Sequence, residues 1–242
     1  MKTIASCSFG KDSIAAILVA LQHGIKIDEL FYCRVMFDEN TSAEYPEHEE
    51  FIHQVAIPKF QDVFGIKTVI IESRPYCDLF YKKYGERSKK CGQIWGFPML
   101  GGAWCNSMLK MKPIRQYKKS IGEHLEIVGI AADEKKRIKR KTVQGKLLPL
   151  VEYGITEQMT YDICRKEGLL SPAYEKLHRQ RLGCWFCHNQ RIGELKSLRN
   201  NHPKFWQKLL KMQTETSVSF THKSSLLDFE KRFSEEEANY LF

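Results

Sequence analysis

The chain has 242 residues, 43% hydrophobic and 28% charged, with a formal net charge of +9. That length supports one substantial core with a small appendage, and the balance is that of a water-soluble globular protein. The longest apolar run, residues 14–21, is too short to cross a bilayer, and Lys11 and Asp12 interrupt the N-terminal stretch early. We therefore expect a cytoplasmic protein with no membrane partner. Eight cysteines in a reducing compartment point to metal or catalysis rather than to disulfides. The positive charge implies an anionic partner without choosing between nucleotide, nucleic acid and acidic protein.

In chain order, Thr3-Ile4-Ala5 suits a buried first strand, and residues 14–21 read as a buried helix ended by His23-Gly24. Between them Cys7-Ser8-Phe9-Gly10-Lys11-Asp12-Ser13 places hydroxyls, a glycine, a lysine and a carboxylate at a helix start. Unpaired N–H groups, the helix dipole and the Lys11 charge would hold an anion there, and Gly10 would allow close backbone approach. It is not a Walker A loop, because Asp12 follows Gly10-Lys11 and Ala5 stands where the first glycine should be.

Residues 29–37 read as a second strand, and the strand–helix–strand spacing implies a right-handed crossover and a parallel sheet. Asp38 then falls at the carboxyl end of that strand, where ligands sit in open α/β sheets. A helix follows from Tyr45-Pro46-Glu47, with Pro58 kinking or dividing it. Residues 67–71 form a third strand. Residues 72–102 are rich in Gly, Pro, Tyr and basic side chains and show no period, which marks a functional or mobile segment. A helix containing residues 106–110 is broken or restarted near Pro113. Residues 125–130 form a fourth strand, Leu147-Leu148-Pro149-Leu150 begins a short fifth, and Thr156 caps a helix to residue 166. Beyond Cys187 only helices are read, over 189–200, 203–214 and 234–241. They form a cap anchored by Trp206, Leu209 and Leu210.

Cys184-Trp185-Phe186-Cys187 has the spacing for two thiolates on one metal centre. With His188 it also matches a c-type haem attachment site, which needs export, or a thioredoxin-like dithiol, which would not carry two bulky aromatics so late in the chain. Adding Cys91 and Cys105 gives four potential ligands, suiting zinc or a 4Fe–4S cluster, which spacing alone does not separate. Cys7, Cys33, Cys77 and Cys164 read as small buried residues. Residues 135–141 carry six cations in seven positions, either tracking a phosphate backbone or forming a solvated loop.

The Ser-Phe-Gly-Lys-Asp-Ser stretch resembles the PP-loop of the ATP pyrophosphatases, in the form found in the phosphoadenosine phosphosulfate (PAPS) reductase branch. Gly96-Phe97-Pro98 followed by Trp104-Cys105 and Leu109-Lys110 is similar to a further stretch of that family. So are Gly129 with Glu134 and Arg137, Pro149-Leu150 followed by Thr156, and Gly183-Cys184 with Cys187. Ala131 and Lys135 stand where the family has arginine and serine, and Phe9 where a glycine is commoner. The likeness runs in order over roughly residues 1–190.

The resemblance implies an α/β fold, a doubly wound parallel sheet over residues 1–187 with a helical cap over 188–242. It implies binding of ATP or PAPS with Mg by Ser8, Phe9, Gly10, Lys11, Asp12, Ser13, Asp38, Lys110 and Lys135. Lys11, Asp12, Glu134 and Arg137 would be catalytic, and Cys91, Cys105, Cys184 and Cys187 would hold 4Fe–4S or zinc. Sulfonucleotide reductases attack with a cysteine near the C-terminus, and none follows Cys187 here. The favoured expectation is ATP-dependent adenylation with pyrophosphate release, coupled to sulfur transfer to tRNA, DNA or another acceptor from an unspecified sulfur donor. A sulfonucleotide (PAPS/APS) reductase and a non-catalytic nucleotide-binding module are the alternatives.

Overall fold

A computed structural model describes residues 1–98 and 103–239. The last residues of the aperiodic 72–102 segment, and the end of the helix expected to reach 241, lie outside the described residues. The sheet has four strands, β1 (Lys2–Ser6), β2 (Glu29–Arg34), β3 (Lys67–Glu72) and β4 (His124–Val128), in the order β3-β2-β1-β4 and parallel at every pairing. The direction of winding reverses at β1, so the crevice between the carboxyl ends of β1 and β4 is the topological switch point.

Helix α1 (Lys11–Gln22) follows β1 directly and is buried over most of its length, as its apolar run requires. His23 caps it, and Gly24 takes φ +75° to turn the chain out. Between β2 and β3 lie α2 (Pro46–Phe51) and α3 (Ile57–Asp62), separated by a π-helical turn at Ile52–Ala56. After β3 come α4 (Tyr76–Phe80) and a second π-helical stretch, Cys105–Met111, which runs into α5 (Lys112–Ile121). Both π segments sit just ahead of a proline, Pro58 or Pro113. A proline offers no N–H and its ring crowds the carbonyl four residues back; a widened turn moves that carbonyl aside and lets the helix continue. At Pro113 the carbonyl in question is that of Leu109, which accepts the Cys33 thiol at 3.6 Å instead.

Alternating residues of β2 serve opposite faces. Leu30 and Tyr32 join the core beneath α1 and α3, whereas the Phe31 ring meets Tyr117 of α5 at 5.4 Å. This is the doubly wound arrangement expected. The fifth strand is not formed. Leu147 makes a single parallel bridge to Ile127, and Pro149 then starts a helix by supplying its first-turn φ.

Past β4 the chain makes α6 (Lys135–Ile138), a 3-10 turn at Lys141–Val143, α7 (Pro149–Glu152), α8 (Glu157–Lys166) and α9 (Ala173–Lys176). The Thr156 hydroxyl caps α8 by accepting from the Met159 N–H at 3.4 Å. The C-terminal part is α10 (Ile192–Asn201), α11 (Pro203–Thr214) and α12 (Leu226–Asn239), which starts eight positions before the expected 234. Trp206 and Leu209 are buried as cap anchors and Leu210 is partly so. A second apolar cluster spans both sides of residue 187, joining Val35, Phe37, Tyr76 and Phe97 to Trp185, Leu195, Trp206 and Phe233.

Candidate functional site

The loop after β1 folds around one hydroxyl. Ser13 Oγ donates to the Gly10 carbonyl at 2.8 Å and accepts from the Ser8 N–H at 3.2 Å. Gly10 is extended and its carbonyl also accepts the first amides of α1, from Ser13 and Ile14, both at 3.1 Å. The tight turn is made by Phe9, at φ +55°. A left-handed conformation costs a non-glycine residue about 1–2 kcal/mol, and burying a phenylalanine contributes about 2–3 kcal/mol in return. The ring is fully buried, edge-on to Tyr32 at 5.2 Å and near Phe60 at 6.4 Å. Phe9 is thus a loop anchor whose side chain points into the core.

Lys11 is placed differently from the expected phosphate cation. Its ammonium is buried, bonded to Asp12 at 2.7 Å and Glu157 at 3.0 Å, and stands 4.9 Å from the Tyr161 ring centre. Burial pushes its pKa down, but the two carboxylates outweigh this and hold it above the usual lysine value. Asp12 also accepts from Thr160 at 3.0 Å. Lys11 and Asp12 therefore tie the first turn of α1 to α8. The Tyr174 hydroxyl accepts the Lys11 N–H at 2.9 Å, and Cys164 donates to the Lys11 carbonyl at 3.2 Å.

The cations that face the loop are arginines. A cavity of about 180 Å³ opens between Ser8, Gly10 and Ser13 on one side and Gly129, Arg137 and Arg181 on the other. Glu134 orients both guanidiniums, accepting from Arg137 at 2.7 and 2.6 Å and from Arg181 at 3.2 Å. Gly129 has to be glycine: a Cβ there would sit 2.5 Å from the Asp12 carbonyl oxygen and 2.7 Å from the Ser13 Cα. The end of β4 and the start of α1 meet at this point with no side chain between them. Below the loop His48 is buried, its Nδ1 3.0 Å from the Ser171 hydroxyl. Burial drives its pKa down to about 4, against opposing contacts with the Ser8 backbone and Glu49.

Asp38 and Lys135 do not line this cavity. Asp38 closes its own turn, accepting from the Asn40 and Thr41 N–H groups at 3.0 and 2.7 Å, and pairs with Lys208 of α11 at 3.4 Å. Burial raises its pKa, but the Thr41 and Asn40 hydrogen bonds and Lys208 prevail and lower it. Lys135, Lys136, Lys139, Arg140 and Lys141 are exposed, and among the described residues none forms an ion pair. Within that run only Arg137 is paired.

A second corner gathers thiols. Cys184 and Cys187 are held by a turn whose Trp185 is fully buried, with its N–H donating to the Ala43 carbonyl and its indole to the Ser42 carbonyl, both at 2.9 Å. Gln190 donates to the carbonyls of Trp185 and Cys187 at 2.8 and 3.1 Å, closing the turn. Cys105, at the start of the π stretch, lies within electrostatic reach of both thiols, and Lys110 within reach of Cys184, Cys187 and Cys33. Burial raises all three thiols, Cys105 to about 11, with the Cys187 charge adding to it. Burial lowers the Lys110 pKa, but Cys184, Glu44 and the other thiols reverse this and leave it raised. Lys110 belongs to this corner.

Cys91 is not brought to the other three; it is exposed on the turn of a hairpin. Among the described residues no three His, Cys, Asp or Glu side chains converge at metal-binding geometry. The thiol chemistry of Cys105, Cys184 and Cys187 suits iron–sulfur or zinc, though among the described residues the three do not converge at ligating geometry. His188 is buried with an unpartnered Nε2.

Tyr174, Arg181, Glu157, Thr160 and His48 were not legible as site residues. Only the spacing of Arg179 and Arg181, just before Gly183-Cys184, offered a sequence signal. A second cavity, of about 450 Å³, shares Gln180, Arg181 and Leu182 with the first and reaches Cys187 and Arg191. The side of the loop after β1 and the thiol side thus meet along residues 180–182.

No family model matches the chain. Two Methanocaldococcus jannaschii proteins are similar to it. One, uncharacterized protein MJ0066, is 26% identical over 213 residues, 83% of this chain and 39% of that protein. The other, uncharacterized protein MJ0973, is 22% identical over 212 residues, 84% of this chain and 45% of that protein. The chain therefore spans less than half the length of these curated relatives. A solved structure, that of U34-tRNA thiolase NcsA from Methanococcus maripaludis with its [4Fe-4S] cluster, aligns at a TM-score of 0.45 and 14% identity. That alignment covers 96% of this chain and 80% of the other. No helix of the described residues is long and apolar enough to cross a membrane.

Proposed function

We infer that this chain is a PP-loop enzyme of the PAPS-reductase-like kind. In this reading it activates an acceptor by adenylation with ATP, releases pyrophosphate, and couples that step to sulfur transfer. The observation that carries the reading is the joined pair of cavities. One is bounded by the Ser8–Gly10–Ser13 turn and two oriented arginines, and it meets along 180–182 a second that ends at Cys187.

ATP bound with Mg would supply the leaving pyrophosphate. The backbone at the start of α1 and the Ser8 hydroxyl would hold its phosphates, while Arg137 and Arg181 stabilise the charge that develops on them. Glu134 keeps those guanidiniums fixed, so no reorganisation is needed when charge appears. Lys11 and Asp12 act by positioning, holding the loop on α8. The exposed cations of 135–141, beside Arg137, would follow the phosphate backbone of a nucleic-acid acceptor.

Pyrophosphate release from ATP, together with calorimetry, tests this. Arg181→Ala and Arg137→Ala should each weaken ATP binding by about tenfold, the scale of one charged contact. Unaltered affinity in both variants, or no pyrophosphate release by wild-type protein with any nucleic acid, would remove the assignment. Iron, sulfide and zinc analysis of anaerobically purified wild-type and Cys187→Ser proteins tests the thiol corner separately. Metal that is lost on substitution assigns the corner to a metal centre, and equal contents return it to packing.

A further inference from the structure

Residues 81–96, within the aperiodic segment, form a hairpin that neither cavity uses. Lys83 and Ile94 make an antiparallel bridge. The Trp95 N–H donates to the Lys82 carbonyl at 2.8 Å and the Tyr84 N–H to the Gln93 carbonyl at 2.9 Å. Its tip turns through Ser88, whose carbonyl accepts from Cys91 at 3.0 Å.

Five cations stand on this hairpin, Lys82, Lys83, Arg87, Lys89 and Lys90, against one carboxylate, Glu86. All five are exposed, and among the described residues none of them forms an ion pair. That contrasts with Arg34, Arg137 and Arg199, each held by carboxylates. Two of the hairpin lysines lie instead over aromatic faces: Lys82 is 4.4 Å from the Trp95 ring centre and Lys90 is 5.8 Å from that of Tyr84. The two rings are themselves 6.1 Å apart.

The hairpin's root is fixed. Gly96 takes φ +67°, and the place of its missing Cβ lies 2.5 Å from the Thr216 hydroxyl, so the segment before α12 closes on it. Tyr81 donates to Glu215 at 2.5 Å. From the root, rings lead inward. Trp95 meets Trp104 at 6.3 Å, Trp104 meets Tyr76 at 4.9 Å, and Tyr76 meets Phe186 at 4.3 Å. Phe186 lies between Cys184 and Cys187, and Trp104 precedes Cys105. The hairpin therefore rises from the thiol corner.

We propose that this hairpin is the arm that grips a nucleic-acid acceptor, its cations on phosphates and Tyr84 and Trp95 stacking on unpaired bases. This rests on the function proposed above and names which element holds the acceptor. Unneutralised cations on two sides of a narrow ribbon suit a polyanion. Interleaved aromatic faces add what an acidic protein surface would not use, a platform for bases.

The test is fluorescence anisotropy with a labelled, unmodified tRNA transcript and with labelled heparin, titrated across salt concentrations on the full chain. Replacing the five cations by alanine should flatten the log Kd against log salt slope for tRNA by about 3. Tyr84→Leu should weaken tRNA binding roughly tenfold and leave heparin binding unchanged. A version with all four lysines changed to arginine should keep the slope, which separates charge from misfolding. An unchanged slope in the alanine variant would overturn the proposal. So would Tyr84→Leu affecting tRNA and heparin alike, which would leave only a general polyanion patch. ATP calorimetry on the same variants should be unaltered. Intact hairpin-dependent tRNA binding without any pyrophosphate release would fail the enzyme reading while leaving the arm in place.

Discussion

The corner at the loop after β1 and the thiol corner both sit on parts of one doubly wound core, but they are stabilised in opposite ways. Around the loop, polar groups answer one another: Ser13 closes on Gly10 and Ser8, Lys11 on Asp12 and Glu157, and Glu134 on Arg137 and Arg181. Around the thiols the setting is aromatic, with Trp185 within 4.5 Å of Phe37 and 4.2 Å of Phe205, and Tyr76 against Phe186. Buried polar networks fix geometry because a half-satisfied member is costly. An aromatic cluster contributes mainly burial and leaves its thiols raised in pKa and neutral. The loop corner is thus held by polar pairs that answer one another, and the thiol corner by apolar burial that keeps its thiols neutral.

If that contrast is right, the largest loss should come from the apolar side. Trp185→Ala removes a fully buried indole and its bond to the Ser42 carbonyl. It should cost about 4 kcal/mol in urea denaturation, the range for deleting a buried aromatic. Because the cluster crosses residue 187, the cap helices should loosen with it, visible as faster amide exchange in α10 and α11. A loss under 1 kcal/mol would mean the two sides of residue 187 are held by something else.

Gly129→Ala attacks the other corner through backbone contact. The added methyl meets main-chain atoms of Asp12 and Ser13, which cannot rotate away as a flexible side chain would. Overpacking of this kind costs about 3 kcal/mol, and here it should also displace the start of α1 and abolish ATP binding. Stable protein with normal ATP affinity would show that β4 and the loop are not in register as described.

Much of this was readable from the chain. The strands, the first helix and the switch-point loop follow from apolar runs bounded by Gly24 and Pro46, because local pattern and tertiary role agree there. The fifth strand was misread since Leu147-Leu148 is apolar enough to pair, whereas Pro149 removes a ladder donor and favours a helix start. Lys11 was read as a phosphate cation, and its ammonium is instead buried between two carboxylates. Sequence does not show that Glu157, about 150 positions away, would neutralise it, nor that Arg181 would line the loop cavity. For the cysteines, the spacing of Cys184 and Cys187 is that of a turn, whereas Cys91, grouped with them because it flanks the irregular loop, stands exposed on the hairpin.

A gentler probe of the loop corner is pH. His48 is neutral when folded, with its pKa near 4 against about 6.5 unfolded. Between those values the unfolded chain binds a proton that the folded one does not, so stability rises with pH through that window and is level above it. Acidifying from pH 6.5 toward 4 should remove up to about 3 kcal/mol, and His48→Gln should flatten that limb of the curve. ATP affinity of the folded protein should stay level over the same range, since the ring beneath Ser8 remains neutral there. An unchanged acid limb in His48→Gln would separate this histidine from the loop.

The smallest expected effect is the most selective. Thr160→Val keeps shape and burial but removes the hydroxyl that reaches Asp12 at 3.0 Å and shares its proton with the Glu157 carbonyl at 2.7 Å. Thr160 is fully buried, so the loss should be that of one hydrogen bond to a charged acceptor, about 1–2 kcal/mol. Asp12 keeps Lys11, so the fold should survive. Freed of one restraint, though, the carboxylate gains freedom where it lines the cavity, and ATP should bind several-fold more weakly. Pairing this change with Lys11→Met in a double-mutant cycle then measures the network itself. Coupling above about 0.5 kcal/mol is expected for residues sharing Asp12, and additive losses would reduce the polar corner to a set of independent contacts.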